Sequence, residues 1–104
     1  MLESARSSAP VPHRPMPTKT IIISNKLGLH ARAAAKLTQL ASKFNSEIFL
    51  SRGAKRVNAK SIMGVMMLAA GLGVEVRLDA VGSDAERALQ EIEDLFNSKF
   101  GELE

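Results

Sequence analysis

The sequence predicts an α+β open-faced sandwich: a mainly antiparallel four-stranded sheet covered on one face by three helices, in the order β-α-β-β-α-β-α. Three observations lead there. Apolar residues recur at three- and four-residue spacing in two long segments, which marks amphipathic helices. Residues 74–80 alternate apolar with charged, which marks a strand buried on one face. Arg52-Gly53-Ala54-Lys55 turns the chain between two short β-prone runs, and such a hairpin argues against an all-parallel sheet.

In chain order, residues 1–18 hold all four prolines, Pro10, Pro12, Pro15 and Pro17, among several serines. That composition favours extended or disordered chain over packing, so they are read as a tail and residues 19–104 as one folded domain. His13 lies in the tail, away from any residue that would give it a role. Ile21, Ile22 and Ile23 form a β-branched first strand that ends in the turn-prone Ser24-Asn25-Lys26-Leu27-Gly28. Ala34, Leu37, Ala41 and Phe44 then define a helix over about residues 31–43, with Lys36, Gln39 and Lys43 between them. Residues 47–51 and 56–59 are the two arms of the hairpin. Ser61 is placed to cap a short Met-rich helix from Ile62 to about Leu68 or Ala69, which Gly71 and Gly73 end. After the strand over residues 74–80, Ser83-Asp84-Ala85-Glu86 fits a capping box. Ala85, Ala88, Leu89, Ile92, Leu95 and Phe96 make the inner face of a last helix.

Composition excludes several classes of function. The 104 residues contain no Cys, which removes disulfides, thiolate nucleophiles and Cys-based metal sites and fits a reducing cytoplasm. The longest uncharged apolar run, residues 62–74, carries three glycines and falls short of the roughly 20 residues a spanning helix needs. The tail lacks the apolar core of a secretory signal. A soluble cytoplasmic protein without membrane insertion is expected. The net charge of +3 hides an asymmetry: residues 19–60 carry nine Lys and Arg against Glu47 alone, whereas residues 61–104 carry three against nine Asp and Glu. The basic half suits steering toward acidic partners or phosphate. Nucleic acid is disfavoured, because Trp and Tyr are absent and the four Phe are not interleaved with the basic residues.

The chemistry concentrates at His30, where a glycine-containing turn gives way to the alanine-rich helix. The first amides of a helix have no partner inside it and the macrodipole is positive there, so an anion on or near the ring would be stabilised. An unperturbed imidazole titrates near about 6.5, so a neutral nucleophilic ring is abundant at pH 7. Arg32 adds a permanent cation, unfavourably placed for the helix dipole and so suited to an anion. The simplest chemistry for the site is a phosphate carried on the ring. Read alone, His30 also fits a structural histidine at a helix end, and Arg32 a solvated charge.

Two segments and the element order resemble the HPr-like phosphocarriers of the bacterial phosphoenolpyruvate-dependent phosphotransferase system. Leu27-Gly28-Leu29-His30-Ala31-Arg32 is similar to that family's phosphohistidine signature, and Lys60-Ser61-Ile62-Met63-Gly64-Val65-Met66-Met67-Leu68 to its second helix. The resemblance covers about residues 19–100. It implies strands in the spatial order first, fourth, second, third, and a phosphoryl group accepted on Nδ1 of His30 from an enzyme I and donated to an enzyme IIA. The amides of Ala31 and Arg32 and the Arg32 guanidinium would hold the phosphate. Ala35, Ile62, Met63 and Met66 would dock both partners beside Ala31 and Arg32, and Ser61 would be open to an HPr kinase/phosphorylase. Gln39 and Ser42 stand where many relatives have lysine, with Lys36 and Lys43 as substitutes.

The chain departs from the family at Ala33, where most members have proline. Alanine is a good helix former, so altered rigidity or partner preference is expected rather than lost activity. Ala33, Asn25-Lys26-Leu27-Gly28 and Phe96-Asn97-Ser98-Lys99-Phe100 look like the nitrogen-related branch, called NPr, more than the sugar-uptake branch. A carrier of this kind needs no metal or other cofactor, has no turnover of its own and is expected as a monomer. Two other classes compete: a regulatory binding module whose signal is its phosphorylation state, and a hydrolase using His30. The hydrolase lacks a carboxylate, Ser or Cys near His30 in sequence and would need a partner supplied from elsewhere in the fold.

Overall fold

Strands β1 (Thr18–Ile22), β2 (Glu47–Arg52), β3 (Lys55–Asn58) and β4 (Glu75–Val81) form one antiparallel sheet in the order β1-β4-β2-β3. The structure is a computed structural model and describes residues 17–103; most of the expected tail, residues 1–16, lies outside them. Alternation decides which side of the sheet is covered. Ile21, Val76, Leu78, Ala80, Ile48 and Leu50 are buried, and the register sets Leu50 opposite Leu78, Ile48 opposite Ala80 and Ile21 opposite Val76. Helices α1 (Ala31–Ala41), α2 (Ile62–Met67) and α3 (Ala85–Asn97) supply the rest of the core. Alanines 33, 34, 41, 85 and 88 are all buried, which lets the helices approach closely around Leu37, Leu89, Ile92 and Phe96. On the open face the Arg56 guanidinium lies 3.8 Å over the Phe49 ring and, with Arg77, pairs with the buried Asp79 carboxylate.

Strand and helix ends shift by a few residues at most from the sequence reading, and four differences have a clear physical reason. β1 begins at Thr18, the last residue of the expected tail, and the ladder continues to Pro17, whose carbonyl accepts from the Ala80 N–H at 3.3 Å. α1 stops at Ala41 rather than near residue 43, because the amides of Lys43 and Phe44 turn back to the carbonyls of Leu40 and Ala41 in a tighter closing turn. The capping box does not form. Asp84, not Ser83, is the N-cap of α3, and its side chain bonds no amide of its own helix. Its carboxylate instead accepts from the backbone N–H groups of Asn45 and Ser46 at 2.9 and 3.0 Å and from the Ser46 hydroxyl. The Ser46 hydroxyl and the Asn45 amide are the main reasons its pKa falls to about 2. The fourth difference is a one-turn 3-10 helix, Lys99–Gly101, beyond α3. It follows from Phe100, which is 1% exposed and meets Phe96 edge-on at 4.9 Å, pulling the chain back onto the core.

Candidate functional site

The site begins where the chain leaves β1. Asn25 is fully buried, and its Nδ2 donates to the Gly28 carbonyl at 2.8 Å, which closes the turn. Gly28 has φ +65, and a Cβ there would stand 2.6 Å from both the Ala70 carbonyl oxygen and the Gly71 Cα. Only glycine permits this approach. It lets the Leu29 N–H reach the Ala70 carbonyl at 2.9 Å and buries the Leu29 side chain, so the loop after α2 braces the residue just before His30.

His30 is the N-cap residue of α1, extended at φ −76 and ψ 178, and its carbonyl accepts the first helical bond, from Ala34. Its ring caps no amide, unlike the Ser, Thr or Asp usual at this position. The first-turn amides of Ala31, Arg32 and Ala33 therefore lack an intrahelical acceptor, and no acidic residue in that turn offsets the dipole. The side chain of His30 is 27% exposed. With Lys26, Leu27, Arg32, Gly101, Glu102 and Leu103 it lines an open cleft of about 810 Å³. Two cationic side chains, an imidazole, the Glu102 carboxylate and a helix start thus share one cleft, whose cations and unpaired first-turn amides suit a transient dianion.

The tertiary fold adds a residue that sequence reasoning missed. Nε2 of His30 pairs with the Glu102 carboxylate, 72 residues away in the chain. The other oxygen of that carboxylate accepts from Asn25 Nδ2 at 3.0 Å. Those partners hold Glu102 below the usual glutamate pKa: the Asn25 hydrogen bond contributes most, followed by the hydrogen bond and charge of His30 and the charge of Lys36, against partial desolvation. An apolar Phe100 past the end of the α3 stripe, followed by Gly101, was the sequence signal that the chain returns to the core there. Lys36 is not a free docking charge, because its Nζ donates to the Phe100 carbonyl at 2.6 Å and pins the same C-terminal turn. Lys43 stays exposed.

The second segment folds as a separate feature beside the first. Ser61 caps α2, its hydroxyl accepting from the Gly64 N–H at 3.1 Å. Ile62, Met63, Met66 and Met67 are exposed at 39, 66, 40 and 64% on a helix that packs against α1. Ala31 and Arg32 are exposed and Ala35 half-buried on α1. Among the described residues, no three His, Asp or Glu side chains converge as metal ligands would, and no helix is long and apolar enough to cross a membrane.

Residues 17–98 match the family described as "PTS HPr component phosphorylation site". The phosphocarrier protein HPr of Cupriavidus necator is 56% identical over 82 residues, 79% of this chain and 92% of that protein. The phosphocarrier protein NPr of Shewanella violacea is 46% identical over 84 residues, 81% and 92%. The crystal structure of HPr-C-His from Thermoanaerobacter tengcongensis superposes with a TM-score of 0.81 at 53% identity, covering 84% of this chain and 98% of that one. The chain belongs to the HPr family of phosphocarriers of the phosphotransferase system.

Proposed function

We propose that His30 is the phosphoryl-carrying residue, accepting the group on Nδ1 from the phosphohistidine of an enzyme I and passing it to an enzyme IIA. One observation carries this reading: His30 occupies a cap position without capping, which leaves the first-turn amides without an intrahelical acceptor beside a cleft that its ring lines with Lys26 and Arg32. The Nδ1 lone pair attacks phosphorus, and the electron pair of the breaking P–N bond returns to the donor ring. The Ala31 and Arg32 amides and the Arg32 guanidinium then receive the dianion. Partial exposure keeps these contacts modest, which a carrier that must release its group requires. On this reading the chain works in the cytoplasm as a monomer, without a cofactor and without turnover of its own.

Ile62, Met63 and Met66, with Ala35 on the adjoining helix, form the docking face for both partners, since exposed flexible thioethers adapt to more than one surface. Ser61 is the residue open to an HPr kinase/phosphorylase; a dianion there would repel an acidic partner. For the acceptor, Ala33 and the segments Asn25-Lys26-Leu27-Gly28 and Phe96-Asn97-Ser98-Lys99-Phe100 favour the nitrogen-related branch. The name HPr carried by the more similar relatives favours a second reading, sugar uptake. Either role coexists with regulation by phosphorylation state.

Intact-mass analysis after incubation with phosphoenolpyruvate and enzyme I tests the proposal. One acid-labile phosphate on the wild type and none on His30→Ala is the expected result. Onward transfer to purified nitrogen-type and sugar-type acceptors then separates the branches, and an acid-stable phosphate lost in Ser61→Ala reports the kinase. A wild-type chain left unmodified by an enzyme I active on another carrier overturns the assignment.

A further inference from the structure

We propose that Glu102 is a positioning residue for His30: its carboxylate holds the proton on Nε2, presents Nδ1 as the attacking nitrogen, and offsets the positive charge that the ring acquires as the N–P bond forms. The inference rests on the reading of His30 as the phosphoryl acceptor. It starts from the pairing of Nε2 with the Glu102 carboxylate. An ionised carboxylate only accepts, so the proton between the two sits on Nε2 and the lone pair on Nδ1.

Three contacts fix the carboxylate where it is. Asn25 Nδ2 donates to Oε1 at 3.0 Å, the Lys36 Nζ holds the Phe100 carbonyl two residues earlier, and the buried Phe100 ring anchors the turn against Phe96. The Asn25 amide is held in this orientation, because both atoms facing its Nδ2, the Gly28 carbonyl and Glu102 Oε1, only accept. Its own Oδ1 is left buried without a partner. An orphaned buried oxygen is a cost, and here it accompanies a donor aimed at the group that orients His30.

The charge balance follows from that geometry. Attack by Nδ1 on a phosphorylated donor imidazole forms the new N–P bond, and the electron pair of the old bond returns to the donor nitrogen. His30 then bears the phosphoryl group on Nδ1, the retained proton on Nε2 and one positive ring charge, which faces Glu102. On transfer to the acceptor, the Nδ1–P electron pair returns to the ring, which leaves neutral with its proton still on Nε2. The carboxylate therefore serves both half-reactions without taking the proton, as an aspartate does beside the histidine of a serine-protease triad. The carboxylate and the phosphoryl group sit on opposite edges of the ring, and Lys26 and Arg32 supply the cations of the cleft.

The test compares the full-length wild type with Glu102→Gln, Glu102→Asp and Asn25→Ala. Single-turnover transfer from phosphorylated enzyme I is measured across enzyme I concentrations, and the His30 ring nitrogens are read by ¹⁵N NMR at pH 8. Glu102→Gln is expected to lower the saturating transfer rate about tenfold with less than a twofold change in the concentration dependence, the lower end of what loss of an orienting partner costs. Its two ring ¹⁵N shifts should move toward each other as tautomers mix. Glu102→Asp should recover part of the rate, and Asn25→Ala should lose part of it while keeping the carboxylate. Wild-type rates and unchanged ¹⁵N shifts in Glu102→Gln would overturn the inference, as would a loss confined to the concentration dependence, which signals docking. If the wild type takes no phosphate on His30, the carrier reading fails, whereas the ¹⁵N shifts of the unphosphorylated protein still report whether Glu102 sets the tautomer.

Discussion

Replacing Gly28 by alanine should damage this protein far more than the same change at Gly53, where the backbone is also left-handed. Gly28 has φ +65, and an alanine held there costs about 1–2 kcal/mol, of which about 0.4–1 kcal/mol returns through the stiffer unfolded chain. The added Cβ would also stand 2.6 Å from the Ala70 carbonyl oxygen and from the Gly71 Cα, backbone atoms that cannot swing aside. Residues 70–71 must therefore back away. The Leu29 N–H then loses its 2.9 Å bond to Ala70, a net loss of about 1 kcal/mol. Leu29, now 5% exposed, gives up part of a burial whose full value is about 1.5–3 kcal/mol. Together these come to about 2–4 kcal/mol, or roughly 10–25 °C in Tm for a domain of this size. Gly53 is the control: φ is +58 but nothing lies within 4 Å of its Cβ position, so Gly53→Ala should cost about 1 kcal/mol or less. Urea unfolding followed by circular dichroism measures both. Equal losses in the two variants would refute the argument that the close approach of the two loops, rather than the backbone conformation, makes Gly28 necessary.

Two further outcomes follow from side-chain placement. The Asp84 carboxylate has its pKa held at about 2, so its stabilising contribution is complete above its unfolded value near 4 and disappears as pH falls toward 2. The difference in urea midpoint between wild type and Asp84→Asn should accordingly be constant at neutral pH and shrink across that acid window. A difference that persists unchanged to pH 2 would show that Asp84 does not act through its ionised oxygens. Phe100→Ala removes a ring that is 1% exposed and should cost about 3–5 kcal/mol. Because Phe100 anchors the turn that carries Glu102, it should also shift the His30 ring ¹⁵N signals in the same direction as Glu102→Gln does, and unmoved signals would separate the anchor from the site.

Much of the site was legible locally because its parts lie close together in the chain. The start of α1 at Ala31 with His30 as its cap residue, the Ser61 cap of α2 and the buried stripe of α3 all follow from spacing within a turn or two. Local patterns mislead where a side chain has a better partner far away in sequence. Asp84 fits a cap within its own helix, yet the Asn45 and Ser46 amides and the Ser46 hydroxyl converge on its carboxylate and outcompete that local bond. Lys36 reads as a surface charge between apolar positions, yet the C-terminal turn brings it a carbonyl acceptor.

The class of fold, the family and the placement of His30 at the start of a helix were readable from the sequence, because periodicity, turn residues and a contiguous motif encode those over short distances. The tertiary structure alone decided the environment of the ring. Glu102 reaches His30 across 72 residues only once β1, α1 and α3 have packed and the buried Phe100 has turned the chain back. No local pattern carries that pairing, since it depends on where two distant segments end up on a shared core.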